Sequence, residues 1–275
     1  MGSKPTLPYC APENVLPGPI PTVEEILKAE QLRRAGQAVT GVARIREHFI
    51  VKFGRHVNLQ EGENMLFVRQ FTNVPVPTVY ALFSDEKKKC NFIKDLTAPQ
   101  KTAIASQLRE NMEELRQTPS QGYYGGIWRQ PTRDYTFEDP NSMAPVGGAI
   151  SAPHESEEQW VDAMWRCLDI RMKSAERERL PVLRKLYQII FKGHKPVFTH
   201  ADFFPGNMIL RDDNKGVVII DWERSGWYPS FWEYCHAMTQ LDYESDFWEY
   251  IPSILDQYVA ELGWMRTHRE SLLFF

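Results

Sequence analysis

The stretch from Thr199 to Asp221 constrains this chain more than any other. It reads THADFFPGNMIL, then the polar turn RDDNKG, then VVIID. Two short apolar runs joined by such a turn fit a β-hairpin, with strands expected at 207–210 and 217–220. Closing that hairpin brings Asn207, at the start of one strand, beside Asp221, at the end of the other. Asp202 lies in the loop that leads into the hairpin, so three oxygen-bearing side chains converge. One carboxylate and one amide with room for water suit magnesium, which takes few protein ligands and adds water and phosphate oxygens. Asp202, outside that pair, is left to accept a proton. A base beside an acceptor hydroxyl and a cation beside phosphates is what phosphoryl transfer requires.

Each residue also has a commoner structural use. A loop Asp or Asn usually closes a turn or caps a helix, and a strand lysine is usually a solvated edge residue. Their order favours function: Lys52 in the apolar run HFIVKFG, glutamates on the following helical stretch, then the His-Ala-Asp loop, Asn207 and Asp221.

Composition narrows the classes. At 275 residues, 43% hydrophobic and 12% aromatic, the chain can bury a sizeable core. A net charge of -4 argues against nucleic acid as a partner. No apolar run reaches a membrane span, and the N-terminus lacks the apolar core of a secretory signal, so a cytoplasmic protein is expected. Cys10, Cys90, Cys167 and Cys235 lie far apart and read as reduced thiols without metal or redox spacing.

The organisation follows from local signals. Residues 1–21 are proline-rich and read as an irregular arm. Thr22 and Glu25 form a capping box for a helix that Gly36 closes. Strands are expected at 39–45 and 48–54, a helix at 59–71, a strand in PVPTVYALFS and a brief one in NFI. From Ala98 the chain turns helical, which divides it into units at 22–93 and 94–275. Residues 118–153, rich in Gly, Pro, Ser and Tyr, read as a surface insertion. Helices are expected in ESEEQWVDAMWRCLDIRMK and PVLRKLYQIIF, a strand at 196–199, and helix from Ser230 onward.

THADFFPGN followed by VVIIDWE resembles the catalytic loop and metal segment of the aminoglycoside phosphotransferase and choline kinase family. IVKFG, ENMLFVRQFTNVPVPTVYALFSD and IIDWERSGWYPSFWEY are most similar to its members from filamentous fungi, and the likeness runs from about Val39 to Tyr250. The resemblance implies an α+β, bilobal, protein-kinase-like fold. Its N-lobe (22–93) is a small antiparallel sheet with one main helix, and its C-lobe (94–275) is larger and mainly helical. ATP and Mg2+ are the implied cofactors, and a small-molecule hydroxyl is the implied acceptor. Carried over by position, the resemblance implies Asp202 as catalytic base, His200 as support of the catalytic loop, and Asn207 and Asp221 as magnesium ligands. It implies Lys52 as the contact to the α- and β-phosphates and Glu63 as the helix glutamate that pairs with it, with Glu61 as the competing assignment.

The chain departs from that family at two places. No GxGxxG precedes Lys52, and VTGVARIREHF offers only Gly41 for close approach to phosphate. The interlobe hinge is shortened, Ile93 passing directly into KDLTAPQKTAIASQL. Hinge backbone groups bond adenine in this fold, and leaving them unmatched costs about 1–3 kcal/mol, or roughly tenfold to hundredfold in affinity. Three readings stay open: an ATP-dependent phosphotransferase, an impaired pseudokinase-like relative with an interaction role, and a metallohydrolase built on His200, Asp202 and Asp221. The acidic group Asp242, Glu244, Asp246 and Glu249 would suit a cationic acceptor or form a solvated helix face. Trp222, Trp227, Tyr228 and Trp232 read as core beneath the metal segment or as a stacking surface.

Overall fold

The computed structural model describes residues 4–29, 40–54, 57–82, 96–138, 148–172, 174–210, 216–239 and 246–273. The expected NFI strand, the shortened hinge, the closing Gly36, Asp242 and Glu244 lie outside the described residues.

The arm is irregular except for a 3-10 turn and one short strand, β1 (Tyr9–Cys10). Thr22 starts α1 (Val23–Lys28), its amide donating to the Glu25 carboxylate at 2.8 Å and its hydroxyl accepting from the Glu25 amide at 3.3 Å. β2 (Thr40–Ile45) and β3 (Phe49–Gly54) pair antiparallel around a tight turn at Arg46, Glu47 and His48, with Val42 opposite Lys52. α2 (Gln60–Phe71) follows, then β4 (Ala81–Leu82), which pairs with β1. Of the strand expected in PVPTVYALFS, only these two residues are strand among those described.

The remainder is mainly helical. α3 (Ala98–Gln117) leads to β5 (Gly125–Gly126), α4 (Gly148–Ser151), α5 (Glu157–Arg171) and α6 (Leu180–Ile190), which takes Pro181 in its first turn as expected. The chain then lays down β6 (Pro196–Thr199), β7 (Met208–Leu210), β8 (Val217–Ile219) and β9 (Gly226–Pro229). It ends in α7 (Trp232–Thr239), α8 (Phe247–Ile254) and α9 (Val259–Leu273). β9 sits between β5 and β6 in a three-stranded antiparallel sheet, while β7 and β8 form the expected hairpin. None of the described helices is long and apolar enough to cross a membrane.

Two apolar clusters hold the molecule together. The smaller one joins Ile26, Ala43, Ile45 and Phe49 under the β2–β3 sheet. The larger one takes in α3, α5, α7 and the β6–β9 sheet, and it also claims α2. Phe67 of α2 stacks on Phe198 of β6 at 5.2 Å between centroids and meets Trp227 of β9 edge-on at 6.2 Å. Trp222, Trp227, Tyr228 and Trp232 are all fully buried in it, which settles them as core.

The described part of 118–153 is not a surface excursion. Tyr123, Ile127 and Phe137 are at most 1% exposed, and they anchor the segment in the large cluster despite its glycines and prolines. A loop composition sets how a chain bends, whereas its few large apolar side chains decide whether it is buried.

Candidate active site

β6 delivers the His-Ala-Asp loop, and α7 supports it from beneath. The Glu233 carboxylate accepts from the backbone amides of His200 at 2.7 Å and Ala201 at 3.1 Å. Burial pushes that carboxyl above its usual range, with His200 and the two amides opposing the shift. Ala201 takes a left-handed conformation (φ 63°), a strained backbone that this doubly bonded loop holds in place. Sequence reading missed Glu233. Its signal is a lone acid inside the aromatic run SFWEYC, where a charge without a local purpose would not be buried.

His200 uses both ring nitrogens structurally. Nε2 donates to the Ile220 carbonyl at 2.9 Å, and Nδ1 accepts from the Asp202 amide at 3.2 Å, a tautomer assigned by those partners. The histidine ties the loop to the hairpin and has no nitrogen left for a metal, which deprives the metallohydrolase reading of its ligand.

The hairpin register puts Met208 opposite Ile219, and the Ile220 amide donates to the Asn207 carbonyl at 2.9 Å. Asn207 is therefore one residue from Asp221 across the ladder. Its Nδ2 donates to the Asp202 carbonyl at 2.9 Å and to Asp202 Oδ2 at 2.7 Å. Its Oδ1 is buried without a hydrogen-bond partner among the described residues. Asp221 is itself left-handed (φ 65°), which turns its carboxylate off the strand direction at the point where the chain enters the Trp222–Arg224 turn.

Lys52 corrects the glutamate assignment. Its ammonium pairs with Glu61, not Glu63, and reaches Asp221 Oδ1 at 3.2 Å. Residues two apart on a helix point about 200° away from each other, so only one of the two can face β3. Glu63 instead accepts from Gln130 Nε2 at 3.0 Å and meets Lys4 Nζ at 3.2 Å. Burial works against the Lys52 charge, but Glu61 and then Asp221 outweigh it and hold the ammonium above its usual range. Glu61 is pushed up to about 7 by burial, Lys52 opposing and Asp221 adding to the shift. On the same helix, Asn64 Nδ2 donates to the Trp222 carbonyl at 2.6 Å, so α2 docks directly on the turn after Asp221.

Glu61, Asp221 and Glu223 bring carboxylate oxygens within 4.8 Å of one another. Together with the orphaned Asn207 Oδ1, this all-oxygen set fits a hard divalent cation such as Mg2+. Glu223 was not singled out in the sequence. Its signal is the spacing of two from Asp221 across a tight turn, which lets both acids approach Glu61 in the first turn of α2. Of the acidic group read as a solvated helix face or a site for a cationic acceptor, Asp246 and Glu249 are described: Asp246 pairs with Lys101 at 2.6 Å, and Glu249 is exposed.

The chain belongs to the phosphotransferase enzyme family, whose model matches residues 33–274. Its fold is the bilobal, protein-kinase-like one of several solved structures. A choline kinase (LicA) from Streptococcus pneumoniae is 14% identical, with 89% of this chain and 82% of that one covered at a TM-score of 0.51. APH(2")-IIa in a ternary complex with streptomycin and ATP is 14% identical, covering 90% and 80% at 0.52. Aminoglycoside phosphotransferase APH(4)-Ia is 11% identical, covering 91% and 97% at 0.51. No curated protein sequence matches the chain.

Proposed function

We propose that this protein transfers the γ-phosphoryl group of ATP to a hydroxyl of a small molecule, with Asp202 as catalytic base. The observation that carries this reading is the meeting of groups from both lobes in one site: Lys52 with Glu61 and Asp221, and Asp202 with Asn207. Solved members with ATP or GDP bound support the choice of a nucleotide donor.

The residues divide the work. Asn207 Nδ2 holds Asp202 Oδ2, which orients the carboxylate so that Oδ1 can take the proton of the acceptor hydroxyl as it attacks. Glu61 keeps the Lys52 ammonium extended toward the phosphate side, where it binds donor oxygens. Asn207 and Asp221 would hold Mg2+, with Glu223 as a further carboxylate, and the bound ion would neutralise phosphate charge. His200 and Glu233 fix the loop that carries the base.

Calorimetric titration of ATP, with and without magnesium, tests the donor half, using the native chain and Asp221→Ala. Binding should need magnesium and weaken in the variant. A panel of hydroxyl compounds with Asp202→Asn tests the transfer half, and turnover should fall about 10²- to 10⁴-fold while nucleotide affinity is kept. A folded chain that binds no ATP at millimolar concentration defeats the proposal. Binding without any transfer, unchanged by Asp202→Asn, would point to the pseudokinase-like reading.

A further inference from the structure

Residues 132–138 lie against the large core, with Arg133 half-buried and Tyr135 the most exposed of them. Thr132, Asp134, Thr136, Phe137 and Glu138 are buried, whereas Tyr135 is 44% exposed. The turn beneath that ring is fastened from several sides. Asp134 Oδ1 accepts from the Thr136 amide at 2.9 Å, its Oδ2 accepts from Trp232 Nε1 at 3.3 Å, and its carbonyl accepts from the Phe137 amide at 2.8 Å. Arg171 of α5 donates to the carbonyls of Tyr135, at 3.1 Å, and of Glu138.

The inner face of the ring is occupied. Arg224, three residues beyond Asp221, places its guanidinium carbon 3.9 Å from the Tyr135 centroid and donates through Nη1 to Glu138 Oε1 at 3.3 Å. Arg224 is itself buried, so a fixed cation covers one face of a ring that keeps 44% of its residue's surface exposed. Arg224 belongs to the turn that directly follows Asp221, so the ring it covers stands against the exit of the hairpin that carries the candidate metal ligand. An exposed tyrosine on a mobile loop would mean little. This one is held out by a buried turn that Asp134, Arg171 and Trp232 fasten, with the Arg224 cation behind it.

We propose that Tyr135 is the platform on which the acceptor lies during transfer, and that the acceptor presents a flat ring to it. The inference rests on the phosphotransferase reading above and names the acceptor class for that site. Stacking on a rigid ring is gained at little cost in freedom, because the ring is already immobilised. A guanidinium on the inner face draws ring electrons toward itself, which favours an unsaturated ring on the outer face in offset stacking.

Two matched pairs test this at saturating magnesium and ATP: phenyl against methyl β-D-glucoside, and benzyl alcohol against propan-1-ol. The native chain should favour the aryl member of at least one pair in kcat/KM by roughly three- to tenfold, carried by KM. Tyr135→Ala should erase that preference and Tyr135→Phe should keep it, with melting curves showing both variants folded. An aryl preference that survives Tyr135→Ala, or no aryl preference in the native chain, overturns the inference while ATP binding leaves the phosphotransferase reading standing. No magnesium-dependent ATP binding overturns both.

Discussion

Glu61 and Glu63 sit two residues apart on α2, and their environments assign them opposite tasks. Glu61 completes the Lys52 and Asp221 cluster, whereas Glu63 bonds Gln130 and Lys4 on the far side of the helix. Glu61→Gln should therefore weaken magnesium-dependent ATP binding by about tenfold or more, since Lys52 loses the charge that orients it toward phosphate. Glu63→Gln should leave nucleotide affinity alone and lower stability instead, because it disturbs a buried contact between α2 and the 118–138 segment. Titration and melting of the two variants separate these outcomes, and a reversed pattern would return the role to Glu63.

At the scale of elements, β5 and β9 approach more closely than side chains allow. A Cβ on Gly226 would lie 2.6 Å from the Gly125 carbonyl oxygen and 3.1 Å from Gly126 Cα, so β9 needs glycine there. Gly226→Ala should cost about 1–3 kcal/mol, read as a lowered melting temperature, because backbone rather than a pliable side chain stands in the way. A second element-level tie joins α5 to α9. His194 Nδ1 and Nε2 lie 2.9 Å from Glu157 and Glu261 respectively, between the rings of Phe231 and Tyr258. Burial opposes its protonation, yet Glu157 and Glu261 raise its pKa overall. A raised folded pKa means the contribution is present below the unfolded value, about 6.5, and is lost as pH rises through the folded one. His194→Gln should then reduce the urea midpoint more at pH 6 than at pH 9, and an equal loss at both would refute the charged tie.

Across the whole molecule, two deeply buried histidines act in the opposite sense. Burial lowers His236 to about 4, with Asp134 opposing, and lowers His268 to about 3. His268 Nδ1 accepts from the Tyr187 hydroxyl at 2.9 Å, which fits a neutral ring. Depressed folded values mean stability is present above pH 6.5 and drains as pH falls through the window toward 4 and then 3. Unfolding free energy should thus decline steeply on acidification below 6.5, and His268→Leu should make the decline shallower. A pH-independent midpoint between 7 and 4.5 would contradict this.

The chain's own order of residues determined the β7–β8 hairpin, the β2–β3 pair, the helix after Lys52, and the placing of Asn207 one residue from Asp221 across the ladder. These depend on alternation, caps and turns within a few residues of one another, which is local information. Tertiary structure alone decided which α2 glutamate faces Lys52, because helix phase relative to β3 is set by how Phe67 and Asn64 seat the helix on the C-lobe. It likewise decided that the glycine-rich 118–138 segment is core, that Glu233 clamps the His-Ala-Asp loop, and that Arg224 backs Tyr135. Each of those contacts joins residues far apart in the chain, where no spacing rule operates and only the packing of distant side chains selects the partner.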